Sequence, residues 1–309
     1  MKNKWMYVIG GILLISILGY ILNKGIFKRS TTDTQSNKIQ VTASFYPLYY
    51  FASEIGGDKA EVKNITPAGS EPHDYDPSTQ DIARIESGDM LILNGSVEAW
   101  GDKIKDNLKG TNVKIIVAGE GLLTRQLTEE GETMQDPHIW LNPQLVKKEV
   151  QKITEGYIEI DPANSNFYKE GERQLNTKLD QLDSLYEQGL ENCATRDFIT
   201  SHEAFAYLAD RYNLNQVAIS GVSPDEEPSA QQLAEVAEFA KKNNVKYIFF
   251  ETLISPKLSE TIANEVGAET LVLDPIEGLS DDDIKQGKNY FTVMEDNLKN
   301  LQTALSCTK

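Results

Sequence analysis

Short apolar strands alternate with amphipathic helices in two runs, one on each side of a long helical stretch, and this pattern limits the possible folds most. In the first run, residues 39–45, 61–66, 90–93 and 113–117 read as strands, with helices over 47–55, 79–86 and 97–108 between them. In the second, strands at 198–201, 216–220, 245–250 and 270–273 alternate with helices at 203–212, 230–243, 256–266 and 289–306. Ser229 and Gln232 have the spacing of a capping box at the start of the 230–243 helix. Alternation of this kind predicts parallel sheets with helices on their faces. Between the runs, Leu175, Leu179, Leu182, Tyr186 and Leu190 recur at three- and four-residue steps, an amphipathic stripe on one helix over 162–192. That helix would span about 45 Å, enough to cross a two-lobed molecule. The predicted fold class is α/β: two lobes of parallel-sheet strand–helix units joined by one long rigid helix. An N-terminal lobe is expected over 39–161, the linking helix over 162–192 and a C-terminal lobe over 193–309. Residues 121–137 carry no periodicity, and the acid-rich stretch from Thr128 to Asp136 reads as a loop.

Residues 1–38 stand apart. Lys2 and Lys4 precede an uncharged run over 5–22. It is longer than the roughly 7–15 residues of a signal-peptide core and close to the ~20 of a membrane span. Tyr20-Ile21-Leu22 is a poor cleavage site, and no Cys follows to accept a lipid. An uncleaved anchor with a polar tether over 29–38 is expected, holding the body at the outer face of the cytoplasmic membrane or in the periplasm. Residues 1–37 hold five of the 30 basic residues and one of the 47 acids, which leaves 25 against 46, a net charge of −21. A body this acidic repels nucleic acid and attracts cations. Neither Cys193 nor Cys307 has a Cys-x-x-Cys partner, and in an exported chain the pair predicts a disulfide rather than a metal site. Closing so long a loop would stabilise the fold by roughly 4–5 kcal/mol on the chain-entropy model.

The chain has only three histidines, His73, His138 and His202. Each follows a strand or a strand-terminating loop, and each has a carboxylate within two residues. Neutral imidazole is the commonest side-chain metal ligand, and three of them with a carboxylate suit a small borderline cation such as Zn²⁺. In open parallel sheets, ligands bind beyond the carboxyl ends of the strands. His202 and Asp274 directly follow predicted strands, and His73 follows one after a short loop. Glu277, in the turn Asp274-Pro275-Ile276-Glu277-Gly278, is a second acidic candidate.

Five runs carry a family resemblance: Ser44-Phe45-Tyr46-Pro47, Pro72-His73-Asp74-Tyr75, Asp136-Pro137-His138-Ile139-Trp140-Leu141-Asn142-Pro143, Thr200-Ser201-His202-Glu203-Ala204-Phe205 and Leu273-Asp274-Pro275-Ile276-Glu277. Through them residues 39–306 resemble the solute-binding proteins of zinc and manganese ABC importers, the metal-binding receptor or lipoprotein adhesin family. The resemblance implies a receptor, not an enzyme. It would act as a monomer, hold one metal ion between two lobes and pass it to a membrane permease. Members with His at the third position resemble zinc receptors and manganese members carry Glu there, so His202 implies Zn²⁺, with Mn²⁺ as the alternative. The fourth ligand in the family is an Asp in some members and a Glu slightly later in others. Asp274 and Glu277 both stand open for it. Reach favours Glu277, with Asp274 expected to orient a histidine. Two departures are present: the stretch before His138 has acids where many zinc members have histidines, and the N-terminus lacks the lipidated Cys of many Gram-positive relatives.

The competing class is a zinc hydrolase, in which His73, His138 and His202 leave a position for water and Glu203 serves as general base. No His-Glu-x-x-His run supports it, and the three histidines lie in distant loops. A surface adhesin is a third class, implied by the family name alone.

Overall fold

The computed structural model describes residues 38–129, 132–224 and 228–308. The apolar run at 5–22 and the tether as far as residue 37 lie outside them. Among the described residues no helix is long and apolar enough to cross a membrane.

Strand β1 (Ile39–Ala43) leads through helix α1 (Tyr46–Gly56), β2 (Ala60–Asn64), α2 (Thr79–Ser87), β3 (Met90–Leu93) and α3 (Gly101–Asn107) to β4 (Lys114–Val117). These strands form a parallel sheet in the order β2-β1-β3-β4. A two-stranded hairpin, β5 (Gln126–Glu129) and β6 (Glu132–Gln135), precedes helices α4 (Pro143–Ile160) and α5 (Ser165–Gly189). Next come β7 (Asp197–Thr200), α6 (Ala206–Tyr212), β8 (Asn215–Ala218), α7 (Ala230–Lys242), β9 (Tyr247–Phe250), α8 (Lys257–Val266) and β10 (Glu269–Val272). They form a second parallel sheet in the order β10-β9-β7-β8. Helices α9 (Asp281–Lys285) and α10 (Tyr290–Ala304) close the chain.

Both sheet orders reverse direction in mid-sheet. The chain runs outward from β1 to β2 and then returns to β3 and β4; it runs from β7 to β8 and then returns to β9 and β10. Crevices open at the carboxyl ends of strands where such an order reverses, here between β1 and β3 and between β7 and β9. Burial follows the parallel architecture. All four residues of β3, Met-Leu-Ile-Leu, are buried, as expected of a strand covered on both faces. One apolar cluster runs from Phe51 and Trp140 through Tyr157, Leu179 and Tyr186 to Phe205 and Tyr290, so the two halves share a core. The expected capping box is present: the Ser229 N–H donates to Gln232 Oε1 at 2.7 Å, and the Gln232 N–H donates to Ser229 Oγ at 3.2 Å.

Three elements differ from expectation. The linking helix does not start at Pro162: a 3-10 turn, Pro162–Asn164, precedes α5, which at 25 residues spans about 37 Å. Asp161 ends the preceding helix and accepts from Asn164 Nδ2 at 2.6 Å and Tyr168 Oη at 2.8 Å, fixing a corner inside the apolar periodicity. Helix α4 is a second long element not expected from the sequence, capped by Asn142, whose side chain accepts from the Gln144 N–H. It buries Val146, Val150, Ile153 and Tyr157. The expected loop at 121–137 contains the β5–β6 hairpin, with Gln126 paired to Gln135 and Glu129 to Glu132.

Cys193 and Cys307 are joined by a disulfide across a sequence separation of 114. Around it the Thr308 N–H donates to Asn192 O at 2.8 Å and the Ala194 N–H to Leu305 O at 3.1 Å, lacing the end of α10 to the residues beyond α5. Replacing both cysteines by Ser should therefore lower unfolding stability by about 2–4 kcal/mol. Denaturant unfolding of the metal-free protein checks this, and zinc affinity should stay within about threefold because the bridge lies outside the histidine cluster. A parent-like denaturation midpoint would show that backbone pairing alone holds this junction.

Candidate metal centre

Each histidine is held by its own short segment. His73 sits on the loop after β2, tied to the other half of the protein by the Gly69 N–H, which donates to Leu279 O at 3.1 Å. His138 follows Asp136-Pro137, and Asp136 Oδ1 accepts from the His138 backbone N–H at 3.0 Å while lying 2.9 Å from its Nδ1. The hairpin leading into this segment is fastened by Tyr207 Oη, which accepts the N–H groups of Thr124 and Arg125 at 3.0 and 3.1 Å. His202 leaves the end of β7, with its carbonyl accepting from Thr200 Oγ1 at 2.7 Å and Gln216 Nε2 at 3.0 Å. Its Nδ1 lies 2.6 Å from Glu251 Oε1, which also accepts from Ser201 Oγ.

With Nδ1 engaged on His138 and His202, both Nε2 atoms face one point. Glu277 Oε1 lies 3.1 Å from His138 Nε2, 3.2 Å from His73 Nε2 and 3.6 Å from His202 Nε2, and the two Nε2 atoms of His138 and His202 are 3.3 Å apart. A tetrahedral zinc ion with bonds near 2.0–2.1 Å sets its ligand atoms about 3.3 Å from one another. The separations match that edge length. His138, His202 and Glu277 are buried and His73 is partly buried. Glu277 Oε2 and the neighbouring Glu71 Oε2 are buried without a hydrogen-bond partner among the described residues. A cation, or a proton on Glu71, would answer that lack of donors.

Charge is balanced inside the cluster. Burial alone would depress both imidazoles. On His138 the bonds to Asp136 and Glu277 outweigh it, and on His202 the charge and hydrogen bond of Glu251 do, so both lie above the ordinary imidazole value. Glu277 is held well below the usual carboxylate range: burial opposes this, but the His138 hydrogen bond and the His202 charge prevail. Glu71 is pushed up to about 9, first by burial and then by the charge of Glu277.

Asp274 does not take the expected place. Its Oδ2 accepts from Thr252 Oγ1 at 2.6 Å and its Oδ1 from the Ile276 N–H at 2.7 Å, so both oxygens serve the turn and neither orients a histidine. That role belongs to Asp136 and Glu251. The reason is topological: β10 is the edge of its sheet, while β9, which Glu251 directly follows, lies beside β7 and His202 at the point where the strand order reverses. Glu251 carries the same signal as Asp274, an acid immediately after a strand, and only the sheet order separates them. Among the described residues, potential ligand atoms gather as His73, His138 and Glu277 and as His202, Glu251 and Glu277. Glu203 belongs to neither group; it lines a groove beside β8 and α7 with Gln216 and Glu235.

Residues 41–304 match the family model described as the periplasmic component A of the zinc-uptake complex. The chain belongs to that family. It is 37% identical over 320 residues to the high-affinity zinc uptake system protein ZnuA of Bacillus subtilis (strain 168), covering 99% of each. It is 39% identical over 285 residues to the zinc-binding lipoprotein AdcA of Streptococcus pneumoniae (strain ATCC BAA-255 / R6), covering 88% of this chain but 57% of the relative. The chain thus spans little more than half of the AdcA proteins it matches. Among solved structures, the Zn(II)-bound ZnuA-like domain of S. pneumoniae AdcA has a TM-score of 0.75 at 40% identity, covering 87% of this chain and 99% of that domain. The laminin-binding protein Lmb of Streptococcus agalactiae, described as bifunctional with adhesin and metal-transporting activity, has a TM-score of 0.78 at 32% identity, covering 87% and 99%. The zinc-uptake family has the two-lobe fold expected from the sequence, and its members are zinc-binding receptors, not hydrolases.

The raised imidazoles fix the sign of a pH effect. His138 and His202 keep their protons to higher pH than an ordinary imidazole, and zinc bound to their Nε2 atoms would require them neutral, so such binding would displace protons. Isothermal calorimetry in buffers of different ionisation enthalpy should register net proton release on zinc binding at pH 6.5. In the metal-free protein the raised histidines contribute stability that is present below pH ~6.5 and lost as pH rises through their folded values. Glu277 contributes stability that is present above pH ~4.5 and lost as pH falls through its depressed value. Zinc binding without proton release would contradict this assignment.

Proposed function

We propose that this protein is an extracytoplasmic zinc receptor that binds one Zn²⁺ through Nε2 of His73, His138 and His202 and through Glu277 Oε1, and delivers it to the permease of an ABC importer. The observation that carries this reading is the convergence of three imidazole nitrogens and one carboxylate oxygen at tetrahedral edge distances, on loops from both sheets. Asp136 and Glu251 hold two of the imidazoles in the tautomer that presents Nε2, a role whose loss commonly costs about 10–100-fold in metal affinity. Residues 39–161 form one lobe, 193–309 the other, and 162–192 the link, so the ion lies where the lobes meet. The 5–22 segment anchors a monomeric body outside the cytoplasmic membrane. Laminin binding, named for the S. agalactiae relative, does not enter this reading.

Manganese is the competing cargo, and the donor set favours zinc over it: Mn²⁺ is the weakest first-row divalent ion on nitrogen ligands and prefers oxygen. Competitive equilibrium dialysis with metal analysis should therefore return protein-bound zinc in large excess over manganese. His73→Ala, His138→Ala and His202→Ala should each weaken zinc binding by at least about a hundredfold, and His202→Glu should narrow the zinc–manganese margin. Equal affinities for the two ions in the parent, or one alanine variant that binds as the parent does, would remove that residue or the zinc assignment.

A further inference from the structure

Glu277 is presented by a turn that its own sequence disfavours. Ile276, the residue before it, is fully buried with φ at +61°, a left-handed conformation that a β-branched side chain adopts only under constraint. The constraint comes from two sides. Within the second half, Asp274 Oδ1 accepts the Ile276 N–H at 2.7 Å and Thr252 Oγ1 donates to Asp274 Oδ2 at 2.6 Å. Asn297 fixes the Asp274 backbone, accepting its N–H at 2.9 Å and donating to its carbonyl at 2.6 Å.

From the first half, Trp140 Nε1 donates to Pro275 O at 2.6 Å, between Asp274 and Ile276. Trp140 is fully buried. Its ring packs edge-on to Phe45 at 4.8 Å between centroids and lies 5.1 Å from the His138 ring, while its carbonyl accepts from Tyr290 Oη at 2.6 Å. The 3-10 turn Ile139–Leu141 that carries Trp140 begins directly after His138. A single short segment of the first half thus bears one histidine of the cluster and grips the turn that supplies the carboxylate.

We propose that Asp274 and Trp140 are positioning residues for zinc, holding the 274–277 turn in the strained form that aims Glu277 at the ion. Breaking the Trp140–Pro275 hydrogen bond lets Ile276 relax to negative φ, withdraws Glu277 and sets the rate of zinc release. The inference rests on the zinc reading of the site. It gives the two halves a release latch that needs no bending of α5. It also assigns Asp274 a task distinct from ligation: Asn at 274 keeps an oxygen for the Ile276 N–H and can donate to Thr252 Oγ1, whereas Ala can do neither.

The test is stopped-flow release of Zn²⁺ to a chromophoric chelator from the full chain in detergent, with association rates and metal-free thermal midpoints measured in parallel. Trp140→Phe keeps the ring packing and removes only the N–H; it should speed dissociation about tenfold while leaving association within about twofold, the size expected for one buried hydrogen bond. Asp274→Ala should speed dissociation about thirtyfold, and Asp274→Asn should restore it to within about threefold of the parent. Parent-like release from Trp140→Phe, folded as judged by its thermal midpoint, overturns the latch while leaving a zinc-binding parent intact. Asp274→Asn as damaging as Asp274→Ala overturns the positioning role and hands Asp274 a charge-dependent one. A parent chain that binds no zinc overturns the underlying function and the latch with it. If Asp274→Ala does not fold, Trp140→Phe and Asp274→Asn decide the question alone.

Discussion

A carboxylate buried among three imidazoles is the constraint on which the rest of this structure depends. Removing the Glu277 charge from water is costly unless positive charge or donors replace the solvent. The pull of Glu277 and of the partners on Nδ1 raises His138 and His202 above the ordinary imidazole value. A divalent ion bound there would supply positive charge instead. Asp136 and Glu251 pair with the imidazole Nδ1 atoms of His138 and His202.

That scaffold follows from strand order. Each sheet reverses direction once, and each reversal leaves a crevice at its carboxyl end. His202 and Glu251 leave the adjacent strands β7 and β9 at the second crevice, and the segment that carries His138 and Trp140 reaches across from the first half. The shared apolar cluster through α4 and α5 keeps the two halves in one packing unit. Differences between metal-bound and metal-free states are thus expected in the ligand loops rather than in the core. The turn at 274–277, with a left-handed isoleucine, is the segment best suited to move.

Much of this was legible in the residues. The apolar strands and amphipathic helices read directly from period, because burial on both faces or on one stripe leaves a repeating pattern. The three histidines were legible because they are rare and each adjoins a carboxylate at a strand end. Glu251 was not, because its meaning depends on β9 lying beside β7, a long-range pairing that no local pattern records. Asp274 differs from expectation for the same reason: its strand is at the sheet edge, and its oxygens bond within the turn and to Thr252. The β5–β6 hairpin is hidden in the sequence because each four-residue strand has a single apolar residue, too few to show an alternation. The apolar stripe of α4 is present, but Lys147, Lys148 and Lys152 dilute it, and Asp161 breaks the continuity with α5 that periodicity suggests.

The central claim is that three imidazoles and one carboxylate oxygen enclose a single zinc ion. X-ray absorption at the zinc edge, on protein loaded with one equivalent of Zn²⁺, reads that claim directly. The account predicts four nitrogen or oxygen neighbours near 2.0–2.1 Å, with outer-shell scattering from three imidazole rings and no sulfur. A six-coordinate, oxygen-rich shell, or scattering from fewer than three imidazoles, would contradict it.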